Sequence, residues 1–163
     1  MEYLNLETEE GTNYFNDHIL RKCKYRINDP IGDSIYENLT PEESEEITRL
    51  LSLPLKIDKK MLSGEVELMF KFEPRKLIFE KYVPDDFING FALLGSIHNV
   101  FMRPLTHENI SSSFFDYEFR SIYHEYIREG RANVFQTLGS FTWILHKFSH
   151  NNRGTYAVEI TKI

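Results

Sequence analysis

A single cysteine, Cys23, stands in a chain of 163 residues, so no internal disulfide can form and no multi-cysteine zinc site can be built. Apolar runs are short. The longest, Phe91 to Met102, is interrupted by Gly95, His98 and Asn99 and falls well below the ~18 residues that span a bilayer. The opening MEYLNLETEEGTNYF has neither the basic n-region nor the apolar h-region of a secretory signal, and a cytoplasmic location without membrane contact is expected. Positive charge is not in excess. With 19 basic and 25 acidic residues the net charge is −6, which argues against general affinity for nucleic-acid backbones. Glycine-rich phosphate loops are missing too, both G-x-x-x-x-G-K-[ST] and G-x-G-x-x-G, and so is the G-x-S-x-G elbow of the α/β-hydrolases. No cofactor is expected, and no catalytic constellation is visible.

What is present is the composition of an ordinary globular protein, 41% hydrophobic and 27% charged, at a length typical of one domain. Residues 1–163 are expected to form that single domain, with residues 1–10 loosely ordered. Phe15, Ile19 and Cys23 recur every fourth residue and predict a helix over about 12–25, capped by Thr12. Asn28-Asp29-Pro30 predicts a short second helix, with Asp29 as cap and Pro30 at its first position. Thr40-Pro41-Glu42-Glu43 predicts a third, with a cap, an N-terminal proline and a capping-box glutamate ahead of Ile47, Leu50 and Leu51. From Gly64 the period becomes two: Val66, Leu68, Phe70 and Phe72 alternate with polar or half-polar positions, and Lys76 to Val83 reads as the returning strand. The stretch 86–103 fits a helix or a helix followed by a strand. Phe115, Phe119, Ile122 and Tyr126 predict a helix over about 113–130, and a second hairpin is expected over 141–163. These elements imply an α+β fold, its mainly antiparallel sheet built from hairpins at about 66–83 and 141–163 and packed against three to five helices.

Chemistry-bearing side chains are few. His146 and His150 have the zinc-chelating i, i+4 spacing of a helix, but on a strand they stand roughly 13 Å apart, too far to share an ion. His107-Glu108 and His124-Glu125 lack the second histidine of H-E-x-x-H. Cys23 lies among basic neighbours that would favour a thiolate, yet on the same helical face as Phe15 and Ile19, which makes it a core side chain. The run Arg21 to Arg26 reads as a solvated helix face, with nucleic-acid binding as a remote alternative.

Charge is segregated. Residues 1–46 hold four basic and twelve acidic side chains, a net of −8, while the remainder is net +2. The expected function is a non-enzymatic, protein-binding one of the inhibitor or immunity-protein type. Glu7, Glu9, Glu10, Asp33 and Glu37 would face a partner with a basic surface. The alternative is a small-molecule or nucleotide binder, possibly a hydrolase, with His98, Arg103, His107, Arg120 and His124 lining its pocket. Metal ligands are expected in neither case.

Overall fold

In the computed structural model, which describes residues 1–72, 76–105, 133 and 141–163, nine elements follow one another. They are β1 (Leu4–Asn5), α1 (Glu9–Phe15, running on through a π-helical stretch Asn16–Leu20 and a last turn Arg21–Cys23), α2 (Pro41–Ser52), β2 (Leu55–Lys56), β3 (Val66–Phe72), β4 (Lys76–Tyr82), α3 (Gly90–Met102), β5 (Trp143–Asn152) and β6 (Thr155–Lys162). The helix expected over 113–130 lies outside the described residues.

Two hairpins make the main sheet, as their alternation requires. Val66, Leu68, Phe70 and Phe72 are all buried, and so are Tyr156, Val158 and Ile160 of β6. The sheet order is β4-β3-β6-β5, and the hairpins meet through β3 and β6, which run parallel with Leu68 opposite Tyr156 and Phe70 opposite Val158. The sheet is therefore mixed, not built purely of antiparallel hairpins. Alternation sets which face each strand buries, but it carries no instruction about which strand a hairpin takes as its outer neighbour. The helices cover the buried face. Phe15 of α1 meets Phe148 edge-on, and Phe101 of α3 packs against Phe72. Gly90 lies so close to Leu51 that a side chain there would collide with it, which brings the start of α3 onto the end of α2.

Local chemistry explains most boundaries. Thr40 accepts a hydrogen bond from the Glu43 N–H while the Glu43 carboxylate accepts one from the Thr40 N–H, so the capping box of α2 is complete. Helix α1 starts earlier than its periodicity implies, because Thr8 caps it and Thr12 is buried, its hydroxyl donating to Glu9 O. Asn89 caps α3, so the ambiguous 86–103 stretch resolves into a 3-10 turn over Pro84–Asp86 and then one helix. No helix forms after Asp29. Arg26 grips Asp29 and Glu37 at once, and that clamp, with Ser34 and Ile35 buried beneath, holds the segment as successive turns. The first ten residues also depart from expectation. Leu4 and Leu6 are buried, and their N–H groups donate to Pro54 O and Lys56 O as β1 pairs with β2.

One residue secures the sheet edge. Asn16 donates from Nδ2 to Phe148 O at 2.8 Å and accepts at Oδ1 from Phe148 N at 2.9 Å, using its amide as a second peptide group. Replacing Asn16 with Ala leaves both backbone groups without those partners. We expect a loss of about 2–3 kcal/mol in chemical denaturation, against less than about 0.5 kcal/mol for Asn13→Ala on the exposed side of the same helix. Equal midpoints for the two variants would contradict the assigned role.

Candidate functional site

The long side of β5 away from β6 is tied to the rest of the chain at two places. Near its start, Ile27 N donates to Trp143 O and Leu145 N donates to Tyr25 O; further on, Asn16 occupies Phe148. Between these ties α1 and β5 separate. The strand has a bulge between Leu145 and Lys147, and α1 opposite it is π-helical over Asn16–Leu20. The result is an open groove of about 450 Å³, lined from the helix by Asn13, Asn16, Asp17, Leu20, Arg21 and Lys24 and from the strand by Ile144, Leu145, His146 and Lys147.

Among the described residues the lining carries three cations, Arg21, Lys24 and Lys147, and one carboxylate, Asp17. Arg21 meets Asp17 at 3.2 Å, but the two side chains are 79% and 52% exposed, so water screens the pair heavily. Lys24, His146 and Lys147 are exposed and make no ion pair among the described residues. Lys24 ends α1 at φ 48°, in the left-handed region, where the chain reverses towards Tyr25. Basic residues at a helix C-terminus have a structural reason, the helix dipole, and that accounts for Arg21 and Lys24. It does not account for His146 and Lys147, which approach from the opposite wall.

Of the five acids expected to face a partner, Glu9, Glu10, Asp33 and Glu37 are exposed, and two have a basic neighbour. Glu37 accepts from both terminal nitrogens of Arg26, at 2.6 and 2.7 Å, and these hydrogen bonds hold its carboxyl below the usual range. Glu9 and Glu10 sit in the first turn of α1, where the helix dipole favours them. Glu7 lies 3.9 Å from Lys56. Asp33 is exposed, its N–H bonded to Pro30 O. The five do not form one patch through shared contacts. Among the residues expected to line a ligand pocket, Arg103 instead pairs with Glu80, a carboxylate only 9% exposed. Burial works against the Arg103 charge, but the Glu80 bond outweighs it and raises the pKa. His107, Arg120 and His124 lie outside the described residues. Arg21 and Lys24 belong to the basic run that stands out in the sequence, but nothing local marks Asn13, Asn16 or Lys147. Their role depends on which strand faces the helix.

A second polar cluster is structural. His150 Nε2 lies 2.8 Å from Asp58 Oδ2, which also accepts from Gly154 N; Tyr156 Oη accepts from Asp58 N at 2.7 Å and donates to Leu6 O at 2.7 Å. Each contact joins a different segment, so the cluster pins β1 and the loop after β2 to the β5–β6 turn. No three His, Cys, Asp or Glu side chains among the described residues converge as a metal site requires, and no helix there is long and apolar enough to cross a membrane. No family model matches the chain, and comparison with curated proteins and with solved structures finds no match in either.

Cys23 is 1% exposed, and burial pushes its thiol up to about 12, so it stays protonated rather than serving as a nucleophile. The sign of the pH effect follows. An unfolded thiol ionises near 9 and the folded one near 12, so its contribution to stability is complete below 9 and fades as pH rises between the two. Tyr25, Tyr82 and Tyr156, all shifted upwards by burial, act in the same direction. Native protein should therefore resist thiol alkylation at pH 8 and react once denaturant is added. Its melting temperature should fall from pH 9 upwards, less steeply in a Cys23→Ala variant. Rapid alkylation of the native state would show the thiol to be accessible.

Proposed function

We propose that this protein works by binding another protein, and that the groove between α1 and β5 receives an acidic part of that partner. The observation that carries the reading is the meeting of Lys24 with His146 and Lys147 on facing walls of a concave surface, with no carboxylate among the described residues paired to any of them. The reading keeps the non-enzymatic, partner-binding class expected from the sequence and reverses the partner's charge. Of the acids expected to face outward, Glu37 is held by Arg26 and Glu7 lies near Lys56, whereas Lys24 and Lys147 make no ion pair among the described residues.

Two features argue against the alternatives. The groove as lined by the described residues is only about half enclosed, whereas small-molecule sites bury most of their ligand in an enclosed, mainly apolar pocket. A long nucleic acid would meet a molecule of net charge −6 and a groove whose described lining has no aromatic face for a base to stack on.

The test is a charge reversal. Fluorescence anisotropy with a labelled acidic peptide, alternating Glu and Gly, should give saturable binding that weakens with salt. A Lys24→Glu/Lys147→Glu double variant should bind about tenfold more weakly, since two attractive contacts become repulsive. A peptide alternating Lys and Gly should not bind the groove. If the double variant binds the acidic peptide as well as the parent does, the groove is not the site.

A further inference from the structure

We infer that this protein pairs with a second copy of itself at the end of the sheet where β3 begins and β4 finishes, a basic and apolar turn of each copy seating against an acidic and apolar turn of the other. No residue of this surface lines the groove between α1 and β5, so the pairing is independent of what the groove binds and gives the pair two copies of it. Met61 is 81% exposed and Leu62 fully so, while Val83 and Ile88 are 54% and 68% exposed. These four are half of the large apolar side chains exposed among the described residues, and they gather at one end of the sheet because Val66 stands opposite Tyr82. Glu65 and Val83 are the next positions outward from that pair, and Glu65 O accepts from Lys60 N at 2.8 Å.

Both turns are held in place, so the exposure of their apolar side chains is built into the fold. In the first, Gly64 N donates to Lys60 O, Gly64 takes the left-handed φ of 67°, and Lys60 Nζ is bound to Glu67. Gly154 lies so close to the backbone of Lys59 and Lys60 that a side chain there would collide with it. In the second, Asp86 N donates to Val83 O and Phe87 N to Pro84 O, and the buried Phe87 ring packs on Tyr82. A preformed turn loses little conformational entropy when its side chains are covered.

The charges at these turns select the occupant. Lys59 is exposed and makes no ion pair among the described residues, and the same holds for Asp85 and Asp86. An anionic bilayer would attract the lysine turn but repel the aspartates beside it, and a protein surface of one sign meets the same conflict. A second copy related by a two-fold axis does not, since the lysine turn of each then faces the aspartates of the other and every contact occurs twice. Apolar side chains meet apolar ones in the same arrangement. With four such side chains from each copy the contact is small, which places the dimer in the weak, dissociable class.

Sedimentation velocity on the full chain, from about 1 µM to about 1 mM, spans the dissociation constants of that class and should show a monomer–dimer equilibrium. Leu62→Ser should weaken it at least about tenfold, since one fully exposed apolar side chain is lost from each copy. Lys59→Glu and Asp85→Lys/Asp86→Lys should each weaken it by a similar factor. The variant carrying all three charge changes should regain much of the affinity, its turns being complementary again with the signs exchanged. Because these side chains are exposed, every variant should melt at the parent temperature, which verifies that all are folded. Recovery in the triple variant supports the inference, and its failure to recover while the other charge variants are impaired overturns the pairing of one turn with the other. A chain that stays monomeric throughout overturns the inference, as does a dimer indifferent to Leu62→Ser or to the charge changes. Co-sedimentation of the monomer with phosphatidylserine–phosphatidylcholine vesicles, lost in Leu62→Ser, also overturns it, the occupant then being a lipid surface.

Discussion

The amide of Asn16 sets the relation between the first helix and the sheet, and much else follows from it. β5 is the outer strand of the four, so the backbone groups facing away from β6 need partners or water. Asn16 supplies both a donor and an acceptor at Phe148, while Tyr25 and Ile27 serve Leu145 and Trp143. The chain runs antiparallel to β5 between these two ties. Its helical part is the more compact path, rising about 1.5 Å per residue against about 3.3 Å for the strand. The π-helical stretch and the strand bulge lie between the same two points, and the groove occupies the interval. Sealing the edge and opening the groove are therefore one structural event. An exposed edge is replaced by a concave surface whose walls are held at both ends.

The same local order decides the surface charge. Counting along the chain puts a net of −8 in residues 1–46, but charge in sequence is not charge at the surface. Arg26 alone occupies Asp29 and Glu37, Arg21 faces Asp17, and Arg49 pairs with Glu46. Glu43 completes a capping box, and Glu9 and Glu10 lie at a helix start. These contacts are mostly solvent-exposed and individually weak, yet each lowers the field available to a distant partner. Lys24 and Lys147 make no ion pair among the described residues, although Glu159 stands opposite Lys147 in the β5–β6 register, so an acidic protein presents a groove in which cations outnumber acids among the described lining.

What the sequence discloses depends on how far apart the interacting residues are. The strands β3 and β6, the α2 capping box and the burial of Cys23 are legible because each rests on neighbours within a few positions. The parallel pairing of β3 with β6 is not, since Leu68 and Tyr156 are far apart in the chain and no local pattern names a partner. The absent helix after Asp29 shows the converse. Its capping signal is present, but the Arg26 bonds to Asp29 and Glu37 outweigh it. Leu4 and Leu6 look like part of a polar terminus until β2 and Tyr156 supply the groups that hold them. Half of the candidate site was visible as the basic run Arg21 to Arg26. The other half belongs to β5, and Arg26 itself leaves the set for a structural task.

Most of the reactive groups among the described residues have structural duties. A general base needs a partner that orients it and a nucleophile within reach. His150 has an orienting carboxylate in Asp58, but that pair is enclosed by Gly154, Tyr156 and the β1 segment and serves to join them. His98 is held by Ile27 O at 2.6 Å and ties α3 to the chain leaving α1. Cys23 turns into the core. His146, which lines the groove, has no described carboxylate or hydroxyl within bonding distance, so no described group orients its ring. The groove's walls are fixed by hydrogen bonds at Phe148 and at Trp143–Leu145, so an incoming segment would find its cations already placed. Pre-arranged charge of that kind chiefly accelerates encounter and selects among partners.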